Sequence, residues 1–160
     1  MNPIGITGHQ NIPAHVLGGI EARIRGILLR SREHGLVGIG SLAPGADQLF
    51  ARCVLDLDGS LEVVVPCNGY ETSFGSTAER RGYEAMLAAA TSVSRLPFPE
   101  PSEEAFMAAG MVVADRCKLL IAVWDGLPAE GLGGTGDVVR YARSVGREIK
   151  IVWPVGTRRV

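Results

Sequence analysis

The sequence predicts an α/β domain of the Rossmann-like, doubly wound type, with a mostly parallel sheet of about six strands and helices on both faces. Short apolar runs alternate along the chain with longer stretches whose apolar residues recur at helical spacing. The runs are apolar throughout, as in strands that are buried on both faces of a parallel sheet. The 160 residues are the size of one domain, and no linker divides them, so residues 1–160 are predicted to form a single domain.

The first half of the chain is predicted to contain three strands and two helices. The strands are Pro3–Thr7, Leu36–Leu42 and Leu61–Val65. The first helix begins at Pro13, a residue suited to the first helical position, and has Gly35 at its C-terminal cap. The second helix covers Ala46–Asp58 and is ended by Gly59.

The second half is predicted to add three strands and three helices. The strands are Ser92–Leu96, Lys118–Trp124 and Glu148–Trp153. The helices run from Ser76 to about Ala90, from Ser102 to about Arg116, and from Val138 to Val145. The segment Pro97–Pro101 cannot be helical and is expected to form a stiff connector. Cys67–Gly75 and Gly131–Asp137 are expected to be loops.

Composition and charge exclude several classes of protein. The formal net charge of −1 provides no field for grasping phosphates, so we expect no nucleic-acid partner. No apolar run approaches the ~18 residues that span a bilayer, and the N-terminus lacks a signal-peptide pattern. The three cysteines are odd in number and lack CxxC spacing, which argues against disulfides and zinc. We expect a reduced, cytoplasmic protein without membrane contact, metal or cofactor.

Glycine is the residue type that departs from the average, with 21 of 160 residues against a usual share of ~7%. In a doubly wound sheet, ligands bind beyond the carboxyl ends of the strands, where the strand-to-helix loops lie. The four predicted loops at that edge are rich in glycine or small polar residues: Gly8–Asn11, Pro44–Asp47, Cys67–Glu71 and Asp125–Asp137. The glycines therefore predict a ligand site at this edge.

The last of these loops carries the strongest chemical signal. Its candidate ligand-binding residues are Gly133, Gly134, Thr135, Gly136 and Asp137. Glycines let backbone N–H groups approach an anion, and the helix that follows presents its positive end, so a phosphate or phosphoribosyl group fits. The alternative is that Thr135 caps the helix, Asp137 complements its dipole and the glycines form a turn. The Walker and GxGxxG patterns are absent, which argues against nucleotide hydrolysis and dinucleotide-dependent redox chemistry.

The first loop and the end of the fifth strand supply three more candidates. Gly8 permits close approach of a ligand, and His9 could donate to a phosphate or act as a base. Alternatively, His9 is a loop histidine that bonds to the backbone. Asp125 is a polar residue at the end of an otherwise apolar strand.

The second and third loops are more ambiguous. Asp47, preceded by Gly45 and Ala46, could complement the helix dipole or accept from a ribose hydroxyl or a base amine. Tyr70 and Phe74 could stack on a base or cover the core. A nucleophilic role for Cys67 beside His9 is conceivable, but no third, orienting group can be assigned to it.

Four segments together carry a family resemblance: Gly5–His9, Leu42–Leu49, Ala122–Gly126 and Gly133–Val139. They resemble the SLOG superfamily, which includes Lonely Guy phosphoribohydrolases and DNA-processing Smf-type proteins, and the likeness extends from Ile4 to Pro154. The resemblance implies a single Rossmann-like, nucleotide-binding domain. It also implies that these loops hold a nucleotide or a phosphorylated nucleoside derivative.

One departure bears on catalysis. Phosphoribohydrolases of the group carry a Pro-Gly-Gly-x-Gly-Thr-x-x-Glu motif, whose glutamate assists cleavage of the N-glycosidic bond. In this chain Val138 stands where that glutamate would be, and the start of the motif is degraded to Glu130-Gly131-Leu132. Asp137 is adjacent but is rotated by about 100° around the helix.

Three functions therefore remain open. The leading hypothesis is a binding domain, with a sensor or carrier role. The second is an N-glycosidase, phosphoribohydrolase or ribosyltransferase in which Asp47, Glu71 or Asp137 replaces the missing glutamate. The third is an oligomeric interaction module with a vestigial site. Homo-oligomerisation is expected because glycines within the predicted helices could allow close packing across a dimer: Gly18, Gly19, Gly26 and Gly110.

Overall fold

The computed structural model describes residues 2–128, 132 and 134–157, which contain one sheet flanked by helices. The strands are β1 Ile4–Gly8, β2 Val37–Gly40, β3 Ser60–Cys67, β4 Ser92–Phe98, β5 Leu119–Val123 and β6 Glu148–Ile151. The α-helices are α1 Ala14–Ser31, α2 Ala46–Asp56, α3 Thr77–Ala89, α4 Glu103–Arg116 and α5 Thr135–Ser144. A short 3-10 helix, Tyr70–Ser73, follows β3.

All strand pairs in the sheet are parallel, and the strand order is β4-β3-β2-β1-β5-β6. The chain winds outward from β1 to β4 and then returns to the other side of β1 to begin β5. Strand order therefore reverses between β1 and β5, where Gly8 pairs with Val123 at the carboxyl ends. This arrangement confirms the predicted Rossmann-like α/β fold.

Helices cover both faces of the sheet. On one face, Ile6 and Val123 pack in a cluster with Ile24 of α1 and Phe50 of α2. On the other face, Val64 of β3 packs in a cluster that includes residues of α4 and α5. Central strands are thus buried on both sides, which explains why the sequence shows continuous apolar runs instead of alternation.

Several element boundaries differ from the prediction. The strand β4 continues through Pro97 to Phe98 instead of ending at Leu96. Proline is tolerated there because β4 is an edge strand of the sheet. The helix α5 begins at Thr135, so Gly136 and Asp137 are helical and do not belong to a loop.

Some helix caps follow the predicted chemistry and others do not. Pro13 is the N-cap residue of α1 and not its first helical residue. Ser76 accepts from the Glu79 N–H at 3.1 Å at the start of α3, as predicted. Gly35 has a positive φ of 96°, but the C-cap residue of α1 is Arg32, so Gly35 lies three residues beyond the cap. After α2, however, Asp58 and not Gly59 takes the left-handed conformation, with φ 59°. A Cβ on Gly59 would lie 2.9 Å from side-chain atoms of Leu36, so this glycine serves packing.

The glycines within the helices have different surroundings and do not share one role. A Cβ on Gly110 of α4 would lie 2.5 Å from Val138 Cγ2 of α5, so this glycine permits helix packing within the chain. Gly18 and Gly19 are exposed on α1, with open space beside them. Homo-oligomerisation is not shown, and Gly110 gives no support to it. No helix in the described part of the chain is long and apolar enough to cross a membrane.

Candidate functional site

A cavity of about 330 Å³ lies at the carboxyl ends of β1, β2 and β3. Its polar side chains come from separate elements: Thr7, His9, Gln10, Ser41, Asp47, Tyr70, Glu103 and Thr135. The cavity is bounded on one side by α4, through Phe106, Ala109, Gly110 and Val113. It therefore occupies the edge of the sheet where the glycine-rich loops predicted a ligand site.

His9, the residue after β1, joins three elements through its imidazole. Its Nε2 accepts from the backbone N–H of Asp125 at 3.1 Å, just beyond β5. Its Nδ1 lies 3.5 Å from Thr135 Oγ1 at the start of α5. The ring also meets Trp153 edge to face, with centroids 5.3 Å apart. The His9 side chain is only 6% exposed, so it is a buried connector at the rim of the cavity.

These contacts assign the proton on the neutral imidazole. The Asp125 amide always donates, so the Nε2 that it faces must accept and the ring proton lies on Nδ1. Nδ1–H then donates to the Thr135 hydroxyl, which leaves the hydroxyl hydrogen to donate elsewhere. The Asp125 carboxylate oxygen at 3.3 Å from Nε2 becomes the partner when the ring is doubly protonated. In both states Thr135 accepts from His9.

Thr135 is the first residue of α5, and it is buried and lines the cavity. Gly134 is the N-cap residue and provides no side-chain cap, so the alternative in which Thr135 caps the helix is wrong. The amides of Asp137 and Val138 both donate to the Gly134 carbonyl, at 3.1 and 3.2 Å. The Thr135 and Gly136 amides have no acceptor within the helix, as is general for the first turn.

Asp47 lines the cavity from the first turn of α2 and is buried. Its carboxylate accepts from the Ser41 N–H at 3.4 Å and so organises the β2–α2 loop, in which Leu42 has a positive φ of 59°. Burial raises the pKa of Asp47 to about 7, opposed by the backbone N–H groups of Ala43 and Ser41. Because Asp47 is buried and lines the cavity, a favourable interaction with the helix dipole is not its whole role.

The glycine at each of the first two loops is required by packing. A Cβ on Gly8 would lie 2.5 Å from Ala46 Cβ, so the end of β1 touches the start of α2. Gly45 has φ 85°, and a Cβ there would lie 2.4 Å from the Gln10 carbonyl oxygen. The Ala46 amide donates to the His9 carbonyl at 3.1 Å. Of this group, Gly8 also lines the cavity.

Asp125 supports the site from behind His9. Its Oδ1 accepts from the Leu127 N–H at 3.0 Å, which shapes the turn after β5. Gly126, with φ 85°, lies inside that turn. Asp125 thus positions His9 and the loop, and it is not among the residues that line the cavity.

Two of the three proposed catalytic carboxylates lie outside the cavity lining. Glu71 belongs to the 3-10 helix after β3. Asp137 is in α5, and its Oδ1 lies 3.4 Å from Arg140 Nη1. Asp47 is the member of this set that lines the cavity. Val138, at the position where phosphoribohydrolases carry their motif glutamate, lines the cavity and is 3% exposed.

The aromatic residues of the third loop belong to the core. Tyr70 and Phe74 are buried, and their rings meet edge to face with centroids 5.0 Å apart. Tyr70 also lines the cavity, and burial raises its pKa well above the usual value. Cys67 is buried in the same cluster, away from the cluster of β1 and α1. No group of metal-binding side chains occurs among the described residues.

The glycine-rich loop is described in part. Gly134 and Thr135 line the cavity, and Gly136 is buried inside the first turn of α5. The Leu132 amide donates to Glu103 Oε2 at 3.3 Å, which joins this loop to the start of α4. The expectations for Gly133, and for Glu130 and Gly131, fall outside the described residues.

Sequence reasoning missed the contribution of α4. Glu103, Phe106, Ala109 and Gly110 all line the cavity, yet none belongs to a strand-to-helix loop at the expected edge. The chain reaches α4 from the edge strand β4, and α4 packs against β1, β2 and β3. Only the strand order brings it over the site. The four-residue spacing of Phe106 and Gly110 was compatible with one helix face, but that pattern does not say what the face covers.

Solved structures of other proteins share this fold. The DNA processing protein A (DprA) from Streptococcus pneumoniae matches at a TM-score of 0.65 and 18% identity, over 94% of this chain and 50% of that one. DprA from Helicobacter pylori matches at 0.67 and 16%, over 94% and 64%. TM1055, a structural genomics target, matches at 0.59 and 13%, over 93% and 72%.

These likenesses establish the fold of the chain. This chain spans about half to two thirds of the length of the two DprA chains. No protein-family model and no curated protein sequence matches it.

The comparison corrects one expectation. The structure of H. pylori DprA concerns its mode of binding single-stranded DNA, and that protein shares this fold. The expectation that a net charge of −1 rules out a nucleic-acid partner was therefore wrong. Net charge sums over the whole surface, whereas a strand contacts one local groove, so a near-neutral chain is not barred from binding it.

Proposed function

We propose that the cavity at the carboxyl edge of the sheet binds a nucleotide or a phosphorylated nucleoside derivative, in a sensor or carrier role. One observation carries this proposal: buried polar side chains from three separate elements, His9, Asp47 and Thr135, converge on one cavity at the point where strand order reverses. Folding buries such groups at a cost, so the convergence of Asp47 and Thr135 on one cavity favours a ligand that pairs with them. His9 has protein partners on both ring nitrogens and positions Thr135.

The chemistry of the α5 end favours phosphate. With the ring proton of His9 on Nδ1, Thr135 accepts from His9, and its own hydroxyl hydrogen is then available to a ligand. The backbone N–H groups of the first turn of α5 and the positive end of the helix dipole lie at the same end of the helix, where Thr135 is. An anion with several acceptor oxygens satisfies all of these donors together. We therefore assign the phosphate to the α5 end and the nucleoside to the side of Asp47.

The cavity supports binding better than N-glycosidic cleavage. A hydrolase of this kind needs a placed carboxylate near the sugar. The glutamate position is held by Val138, whose packing against Gly110 leaves an apolar surface there. Asp47 lines the cavity but already accepts from the loop backbone. Binding without cleavage is the function that these side chains favour.

The test is ligand-induced stabilisation in the wild type and in Thr135→Val. A ligand at a hundred times its dissociation constant should stabilise the protein by about 2.7 kcal/mol. Nucleoside monophosphates should raise the melting temperature of the wild type, and the same nucleosides without phosphate should raise it less. Thr135→Val should remove most of the difference between the two.

A matched control is Thr77→Val, because Thr77 is also the first residue of a helix but is exposed on α3. It should keep the wild-type response. Chromatography of the same samples for free base separates binding from N-glycosidase activity. If nucleotides stabilise Thr135→Val as much as Thr77→Val, the assignment of the phosphate to α5 is wrong.

Binding of single-stranded DNA is the second candidate, because H. pylori DprA shares the fold. Anisotropy of a fluorescent oligothymidylate should rise on titration with the protein, with an affinity that falls as salt is added. Nucleoside monophosphates should compete if the strand enters the same cavity. An oligonucleotide that binds without competition would place the strand on another surface.

A further inference from the structure

A second cavity of about 490 Å³ lies at the opposite, amino-terminal edge of the sheet. Residues at the starts of four strands line it: Ile4, Val37, Leu119 and Glu148. Its volume is in the range of ~300–1,000 Å³ that is typical of small-molecule sites. The strand β1 begins at this cavity and ends at Gly8 in the candidate nucleotide site, so the two cavities are separated by the length of the sheet.

The charge around this cavity is unusual for the chain. Lys118 and Lys150 are the only two lysines in the sequence, and both line it. Arg30 and His34 add two more basic side chains, against the single carboxylate of Glu148. Within the residues that the structure describes, no carboxylate oxygen lies within 4 Å of the side-chain nitrogens of Lys118, Lys150 or Arg30. By contrast, Arg25, Arg52 and Arg140 are each in an ion pair elsewhere on the surface.

The lining beneath these cations is apolar. Ile4, Ile27 and Leu36 are buried core residues that also contribute to the cavity surface. A site with an apolar floor and a cationic rim matches a ligand with an anionic head and an apolar body. Lysine suits a carboxylate or a phosphate monoester here because its ammonium is a compact charge on a flexible stem.

We propose that this second cavity binds an amphipathic organic anion, with its carboxylate or phosphate head between Lys118, Lys150 and Arg30 and its apolar body on Ile27 and Leu36. The proposal does not depend on the nucleotide site, because the two cavities share no lining residue. Four probes isolate the two properties of the ligand: octanoate, octyl phosphate, octanol and inorganic phosphate.

The two lysines allow a direct test. Acetylation by an amine-reactive ester, followed by peptide mass spectrometry, measures the rate at which each of them is modified. Octanoate or octyl phosphate should slow acetylation of both Lys118 and Lys150 several-fold. Octanol lacks the charge and inorganic phosphate lacks the apolar body, so neither should protect. Protection by octanoate alone identifies a carboxylate head, and protection by octyl phosphate alone identifies a phosphate head.

Calorimetric titration of variants gives an independent measurement. The double variant Lys118→Gln/Lys150→Gln should bind the protecting anion about tenfold more weakly, since two charge-assisted contacts are lost. The control is Arg80→Gln, because Arg80 is exposed on α3 and does not line the cavity. This variant also loses one positive charge per substituted residue and should keep wild-type affinity. If the double variant fails to fold, Arg30→Gln replaces it, with circular dichroism to verify the structure. Failure of both anions to protect either lysine, equal binding of octanol, or unchanged affinity in the folded variants would overturn the proposal.

Discussion

The buried carboxyl of Asp47 makes the stability of this protein depend on pH in a direction opposite to that of most carboxylates. The side chain is buried in the first turn of α2 and accepts from the Ser41 amide at 3.4 Å. Burial raises its pKa from 3.8 to about 7, because the charged form loses its hydration. The substitution Asp47→Asn removes the ionisation while keeping the shape of the side chain.

The sign follows from comparing proton binding in the two states. Unfolded Asp47 releases its proton near pH 3.8, whereas in the folded protein it keeps the proton up to about pH 7. Between these values the folded state binds more protons, so its stability falls as pH rises. The stabilisation is complete below about pH 4 and is lost above about pH 7. Three pH units at about 1.4 kcal/mol each give about 4 kcal/mol.

The assay is urea unfolding of the wild type and Asp47→Asn at several pH values from roughly 4 to 8, followed by circular dichroism. Asparagine has one acceptor oxygen where the carboxyl has two, so the variant starts with a constant deficit of about 1–2 kcal/mol. Its free energy of unfolding should nevertheless rise relative to that of the wild type by about 4 kcal/mol between the ends of this range.

The control is Asp58→Asn, because Asp58 is exposed and asparagine tolerates its positive φ of 59°. Its difference from the wild type should stay flat over the same range. A flat difference for Asp47→Asn as well, or one that falls as pH rises, would refute the placement of a buried carboxyl with a raised pKa in this cavity.

Two further predictions concern glycine. Gly8→Ala should lower the free energy of unfolding by about 1–3 kcal/mol, because the new Cβ would lie 2.5 Å from that of Ala46. Gly18→Ala, in open space on α1, should raise the free energy of unfolding by up to about 1 kcal/mol. Thermal unfolding that ranks these two variants the other way would contradict the packing. Gly110→Ala should destabilise the protein through Val138, and Val138→Ala should relieve that effect in a double-mutant cycle, so additive losses would show that the α4–α5 contact is looser than described.

The order of elements was predictable because each strand and helix has a local signal. Strand β3 was located by an apolar run, Leu61–Val65, and the start of α3 by Ser76, whose hydroxyl accepts the Glu79 amide as expected. The start of α5 was placed too late because a glycine-threonine-glycine run resembles a loop. In the structure Gly136 is buried inside the first turn, where tertiary packing outweighs its low helix propensity.

The location of the cavity was predictable from the sequence, but the contacts around it were not. Gly8 and Gly45 were interpreted as glycines that admit a ligand, and the structure shows a second reason for each. A glycine that makes room for a neighbouring helix and one that makes room for a ligand look alike in a sequence. The contribution of α4 was invisible for another reason, since it depends on the position of β4 at the edge of the sheet.

The cavity is electrically asymmetric, and this asymmetry decides how the proposed ligand can be oriented. The α5 end offers the Thr135 hydroxyl and the positive end of a helix dipole, while the other end holds a carboxyl. A phosphate beside Asp47 would raise the pKa of that carboxyl further and would lose the donors at Thr135. The reverse orientation lets Asp47 face hydroxyl or amine donors of the nucleoside, which favour its ionised form. Binding in that orientation should therefore release a proton from Asp47 below about pH 7, and the opposite orientation should take one up.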